Sequence, residues 1–307
     1  MHFISEALDF GPRLDLAAAT SVGAGALKRS ENQDNFLLID ASGQAAFLAN
    51  QLPERLHVPD WPAGHIRAAV LDGMGGHGNG REAAEAGVQG LLAMPACTSH
   101  ATLAAKLDQL HAQLQQQFNQ APAARPPGTT LTLLEMPPDG DPLLYHVGDS
   151  RLYEISENSV TCLTVDHVPA TVHAMAGLID ESGWRARVHG QHHPQIAQAF
   201  ILGNVINDRL ELQLPLVALD AGNLPPFLVH LGDRRALPLR PDAVYVLASD
   251  GFWSCARPDE AIARWPALCR GKTAAQASEA ILCDFMHQPP AGLHSDNLTA
   301  LVLRLKA

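Results

Sequence analysis

Five aspartates stand where they could act together. Asp72 closes an apolar run, Ile66 to Leu71, and five glycines follow it within eight residues. Asp149 and Asp250 also end apolar runs and each touches a glycine, while Asp34 and Asp296 sit just before such runs. Carboxylates at strand ends converge if the strands share a sheet edge. Buried as a group they repel, and their pKa values rise unless cations neutralise them. An all-oxygen set without cysteine suits Mg2+ or Mn2+ better than zinc or copper. One Asp-Gly after an apolar run is usually only a turn. A phosphate-cradling loop is the other reading of the glycines, but no Gly-Lys-Ser/Thr follows them, which argues against a P-loop. The recurrence of the pattern at five positions favours a metal cluster.

The rest of the chain must position these residues. Its 307 residues and 47% hydrophobic content allow one large domain or two ordinary ones. A net charge of -11 argues against nucleic-acid or anionic-membrane partners. The five cysteines are scattered without Cys-x-x-Cys spacing, the pattern of reduced thiols, so neither a disulfide framework nor a zinc site is expected. With no membrane-length apolar stretch and no basic-then-apolar leader pattern, a soluble cytoplasmic protein is expected.

Residues 1–13 have no clear period and read as a loosely attached arm before a domain over 14–307. Asn35 to Ile39 reads as a strand, and 44–65, with three prolines, as a long surface excursion. Arg81 to Met94 reads as a helix. Thr98-Ser99 caps another to about Phe118, whose leucines recur at three and four residues. Thr129 to Met136, Leu143 to Val147, Leu152 to Ile155 and Val160 to Val165 form an antiparallel meander. Residues 168–198 carry small apolar helical segments and read as an exposed flap; the irregular spacing of His189, His192 and His193 argues against a metal cluster there. Leu210 to Leu219 reads as a strand and 220–241 as an elaborated loop. The echo of Leu144–Asp149 in Leu228–Asp233 is taken as chance. Val244 to Ala248 is a strand, followed by helices near Pro258 to Trp265 and Thr273 to Met286, the latter with a Thr273/Gln276 capping box, and a last strand from Leu298 to Leu305. Grouped strands with intervening helical pairs indicate α+β with antiparallel sheets.

With these pieces in place the chain resembles the metal-dependent protein phosphatase family (PPM, type 2C serine/threonine phosphatases) in its bacterial form. The matching segments occur in the family's order: Arg29-Ser30-Glu31-Asn32-Gln33-Asp34, Asp72-Gly73-Met74-Gly75-Gly76-His77, Gly128-Thr129-Thr130, Gly148-Asp149-Ser150-Arg151, Asp166-His167, Gly203, Ser249-Asp250-Gly251 and Ser295-Asp296-Asn297. The resemblance implies a four-layer α-β-β-α sandwich of two antiparallel sheets flanked by helices, with a metal site at one sheet edge. It implies two Mn2+ or Mg2+ ions and a third, weaker one. Asp72 would bridge the pair and the nucleophilic water, with the Gly73 carbonyl on the second metal and Asp250 and Asp296 completing the first. Asp34 would act through water, Asp149 would help hold the third ion, and Arg29 would clamp the substrate phosphate. The implied reaction is hydrolysis of phosphoserine and phosphothreonine in proteins, opposing a kinase, by a monomer. A hydrolase of small phosphoesters and a non-catalytic phosphoprotein-binding module are the alternatives. Met74 stands where some members carry a histidine that would protonate the leaving group, and His77 has no assigned role. Ala199-Phe200-Ile201-Leu202-Gly203 lacks the basic residue common in the family at that place.

Overall fold

A computed structural model describes residues 1–4, 8–23, 29–74, 79–118, 127–191 and 216–306. Gly75, Gly76, His77, His192, His193, the segment 199–203 and residues 210–215 of the expected strand lie outside the described residues.

In chain order the strands begin with β1 (His2–Ile4), β2 (Leu14–Ser21), β3 (Asp34–Ile39), β4 (Gln44–Ala49), β5 (Leu52–His57) and β6 (Ile66–Met74). The middle of the chain adds β7 (Gly128–Thr129), β8 (Leu131–Met136), β9 (Leu143–Val147), β10 (Arg151–Ile155) and β11 (Val160–Cys162). Last come β12 (Arg234–Ala236), β13 (Val244–Ala248) and β14 (Leu298–Leu305). Two sheets result, ordered β1-β2-β14-β13-β10-β11 and β12-β9-β8-β6-β3-β4-β5, with β7 added beside β6. Every described pairing is antiparallel.

Alternation along the strands builds the layers. Phe36 and Leu38 on β3 point between the sheets, where they join Leu301, Leu303, Tyr245 and Leu247. Leu37 and Ile39 point the other way, onto helices α1 (Gly80–Ala93) and α2 (His100–Phe118). On the first sheet Ala300 and Val302 face outward, against the C-terminal helices. Central strands are therefore apolar on both faces, and helices cover each sheet from outside. Those over the first sheet are α5 (Pro258–Ile262), α6 (Trp265–Cys269) and α7 (Ala274–His287). The Thr273/Gln276 capping box forms at the start of α7, and Ser99 accepts from the Thr102 amide at the start of α2. The expected α+β sandwich is thus present. No helix among the described residues is long and apolar enough to cross a membrane.

Four expectations need correction. The N-terminal arm is not loose: β1 pairs with β2, and Ile4 and Phe10 are buried in the inter-sheet core. Two isolated anchors leave no period to detect. Segment 44–65 is not an excursion, because β4 and β5 form a hairpin on the second sheet. Its turn, Asn50-Gln51, takes left-handed φ angles of 48° and 67°. That geometry favours Asn-Gly, so the glutamine hid it. Not among them is the flap region, which carries the expected helical segments, α3 (Pro169–Met175) and α4 (Glu181–Val188), fastened by Trp184, which is 2% exposed and donates to Thr171. Segment 220–241 supplies β12 to the second sheet, and β11 ends at Cys162, short of Val165. The echoing stretches fold differently: one is β9, the other a single 3-10 turn at Val229–Leu231.

One buried ion pair fastens α1 to the strand that carries Asp72. Arg67, fully buried on β6, donates to Glu135 on β8 (2.6 Å) and to the carbonyls of Leu91, Met94 and Pro95 at the end of α1. Glu135 also accepts from Cys97 N, and its Oε1 lies 2.9 Å from His65 Nε2. Removing one partner of a buried pair strands the other charge. Glu135→Ala is expected to cost about 3–5 kcal/mol in denaturant-unfolding free energy, whereas substitution at exposed Glu260, paired only with Arg257, should change it by less than about 1 kcal/mol.

Candidate metal centre

The β3–β6 register sets Asp34 directly opposite Asp72. Two carboxylates so placed repel across the ladder, and the surroundings hold them there. The Asp72 amide donates to Thr130 Oγ1 (2.9 Å), and its carbonyl accepts from Thr129 Oγ1 and Thr130 N. Thr130 Oγ1 also lies 2.8 Å from Ser150 Oγ, tying the Asp72 strand end to the turn that carries Asp149. That turn needs Gly148, with φ of 110°; a Cβ there would meet Thr130 Cγ2 at 2.6 Å. Gly73 is required for another reason. A Cβ on it would lie 2.0 Å from the Gly80 carbonyl, so only glycine lets α1 start against the strand end.

Asp250 and Asp296 come from the other sheet. Asp250 follows β13 and opens a short 3-10 turn, while Asp296 precedes β14. A Cβ on Gly251 would overlap the Asn297 carbonyl at 1.9 Å, so that glycine brings the two acidic loops together. Asn297 joins them to the Arg29–Asp34 segment, accepting from Gln33 N and donating to the Glu31 carbonyl. Arg29 lies at the rim, donating to the Ser295 carbonyl and Asp296 Oδ1, each at 2.8 Å. Asp166 of the Asp166-His167 motif is taken up structurally: it accepts from buried Arg151, which also reaches the Val188 carbonyl and stacks 4.5 Å from the Trp253 ring.

The electrostatics follow from this convergence. Burial, then the charges of Asp34, Asp250, Asp296 and Asp149, push Asp72 well above the usual carboxylate range. Asp149 is pushed up by burial, Asp250 and Asp166. Burial raises Asp34 to about 7, although the Ser249 and Thr299 hydroxyls pull it down. Asp296 rises to about 8 through burial and Asp250, against the opposing pull of Arg29. All five aspartates thus share one edge, with Gly73 among them and Arg29 beside them. Among the described residues no three of these groups close into a finished ion cage; the like charges are offset by Arg29 at the rim and, at Asp149, by Arg151. The donor set is nonetheless all oxygen, and Asp149 Oδ1 is buried with no hydrogen-bond partner among the described residues. Hard divalent cations fit such a group.

Several contributing residues escaped the sequence reading. Ser249 donates to Asp34 Oδ2 at 2.6 Å, Thr130 clamps Asp72, and Asn32 and Asn297 lace the loops together. All four lie inside the quoted motifs but had no role assigned there; for Ser249, Asn32 and Asn297 an uncharged polar residue beside or near an acid was the available signal.

The sign of the pKa shifts gives a stability prediction. Asp34 and Asp296 keep protons in the folded chain up to about 7 and 8, against an ordinary value of 3.8. The folded state therefore binds more protons across that window, and stability present at low pH is lost as pH rises through 7–8. Thermal melts in a chelator should show this contribution falling from pH 5 to pH 8. Asp296→Asn should raise the metal-free midpoint at pH 8 by roughly 3 °C and flatten the pH dependence.

No family profile matches this sequence, and no curated protein matches it. Solved structures do match. The PPM Ser-Thr phosphatase MsPP from Mycobacterium smegmatis, in complex with cacodylate, is 22% identical, with 96% of this chain and 100% of that one covered at a TM-score of 0.58. The catalytic domain of the serine threonine protein phosphatase PstP, in complex with two manganese ions, is 18% identical over 96% and 99% of the two chains, with a TM-score of 0.61. The S. agalactiae serine/threonine phosphatase is 21% identical over 95% of this chain and 100% of that one, with a TM-score of 0.64. Along nearly its whole length, the chain has the fold of the bacterial PPM serine/threonine phosphatases.

Proposed function

We propose that this protein hydrolyses phosphoserine and phosphothreonine in proteins, using Mg2+ or Mn2+ and opposing a protein kinase. The observation that carries the reading is Asp72, a half-buried carboxylate that feels four others drawn from both sheets. A group of this kind costs stability unless it serves cations, and the PstP neighbour carries two manganese ions.

Asp72, Asp250, Asp296 and the Gly73 carbonyl would hold two ions, with Asp34 contributing through water and Asp149 serving a third, weaker one. Bound there, the ions supply a water that deprotonates near neutral pH and positive charge opposite the phosphoryl oxygens. Arg29 contributes recognition. Its side chain is 42% exposed at the rim, and its planar fork matches a phosphate. With ions held there, Asp296 would bind Arg29 less tightly and leave its guanidinium to the substrate. The aspartates line neither of two sizeable cavities, of about 220 and 730 Å3, found elsewhere in the chain.

Turnover of p-nitrophenyl phosphate and of a phosphoserine peptide, with Mn2+ and with chelator, tests this. Both should be hydrolysed only with metal, the peptide at the higher kcat/KM; no turnover with metal present refutes the reading. Asp250→Asn should lower metal-dependent kcat/KM by at least about a hundredfold without unfolding the chain. Arg29→Ala should lower it by about tenfold or more, while calorimetric Mn2+ affinity is not weakened.

A further inference from the structure

The Glu31–Asn32 peptide, in the middle of the Arg29–Asp34 loop, is gripped from both sheets. Its carbonyl accepts from Asn297 Nδ2 at 2.9 Å, in the loop before β14 of the first sheet. Its N–H donates to Gln51 Oε1 at 2.8 Å, at the tip of the β4–β5 hairpin of the second. A trans peptide is planar, with its C=O and N–H pointing opposite ways, so two such bonds fix how it is turned. Asn32 is buried, and among the described residues Gln51 is the only acceptor of its amide. A buried N–H left without a partner is costly.

Gln51 is an unexpected residue for its place. Asn50 and Gln51 form a two-residue turn between the paired Ala49 and Leu52, and both take left-handed φ angles. The second position of such a turn favours glycine, because a Cβ is strained there. Glycine would relieve the strain but present nothing to Asn32. Arg81, at the start of α1, ties the same tip to the same loop. It donates to Asn50 Oδ1 at 3.3 Å, and its Nε lies 3.5 Å from Glu31 Oε2.

We propose that Gln51 is a positioning residue for the Arg29–Asp34 loop, keeping Arg29 set at the rim for the substrate phosphate. This rests on the phosphatase reading above. A side chain bonded to a neighbouring loop is often only packing, but a strained backbone kept for the sake of that bond points to use. Asp34 has holds of its own in the β3–β6 ladder and in Ser249. Arg29 lies outside any strand, so the loss of Gln51 is felt at the Arg29 end of the loop.

Hydrogen exchange at the Asn32 amide in metal-free protein, and kinetics on p-nitrophenyl phosphate with Mn2+, test this. Wild type, Gln51→Gly and Gln51→Glu are compared, with thermal melts confirming that each is folded. Gln51→Gly suits the turn but offers no acceptor, so Asn32 should exchange about fivefold faster or more. KM should rise by about fivefold, with kcat and calorimetric Mn2+ affinity within about twofold of wild type. Gln51→Glu keeps an acceptor oxygen at the same reach and should bring exchange and KM to within about threefold of wild type. A folded Gln51→Gly with wild-type KM or wild-type Asn32 exchange overturns the proposal, as does a Gln51→Glu as impaired as the glycine variant. Should Gln51→Gly fail to fold, Gln51→Asn, which tolerates a left-handed φ but is one methylene short, is read by the same criteria. If wild type turns over no ester with metal present, the phosphatase reading falls and this proposal with it. That outcome is distinct from wild-type turnover that the glycine variant leaves unchanged.

Discussion

Mutual repulsion among five carboxylates, three buried and two half-buried, is the constraint on which the rest of this structure depends. Asp34 faces Asp72 across a ladder, and Asp149, Asp250 and Asp296 act on Asp72 as well. Left to themselves such groups would move apart, take up protons or seek water. The fold prevents the first and last of these, and protonation persists to higher pH than for an ordinary carboxylate. The Asp72 backbone is clamped by two threonines, Asp34 is held by Ser249, and Asp296 is bonded to Arg29. The result is a strained electrostatic arrangement that only added positive charge can relax, which is what a site for dications requires.

Holding such a group takes a platform that does not yield. Here the platform is a sandwich whose central strands are packed on both faces, so that shifting a strand by one residue would exchange its two apolar surfaces and misplace every aspartate. Glycine then brings the pieces within reach. Gly73 lets α1 begin against the end of β6, and Gly251 lets the Asp250 turn close on the Asn297 carbonyl. These glycines act by lacking a Cβ, whereas Gly148 also supplies a left-handed φ.

The acids and the glycines were legible in the sequence because their chemistry is local: a carboxylate at the end of an apolar run announces itself. The strands of the core were legible for a similar reason, since β-branched and leucine-rich runs bounded by turns need no long-range information. What escaped was of two kinds. The β4–β5 hairpin turns on Asn50-Gln51, a pair whose left-handed geometry is allowed but not advertised by its residue types. The N-terminal strand is held by Ile4 and Phe10 against residues far away in sequence, so its own pattern says little. The buried hydroxyl contact between Thr20 and Thr299 is the extreme case. Thr20 and Thr299 are 279 positions apart, and nothing in either stretch points to the other.

The distribution of polar contacts between the sheets has a physical logic. Asp34 and Asp72 belong to the second sheet, Asp250 and Asp296 to loops of the first, so the site straddles the gap between them. Apolar packing across that gap is strong but non-directional, and alone it would tolerate small sliding of one sheet over the other. Hydrogen bonds are directional and short-ranged. At the acidic end they cross the gap repeatedly: Ser249 to Asp34, Asn32 to Thr20, Gln33 to Asn297, Asn297 to Glu31. The cavity of about 220 Å3 lined by Phe10, Ile66, Met136, Leu239 and Leu305 lies at the opposite ends of these strands, where packing is looser and no acid has to be aimed. The sandwich is therefore fixed most firmly where two sets of carboxylates from different sheets must keep their separation, and apolar contact suffices elsewhere.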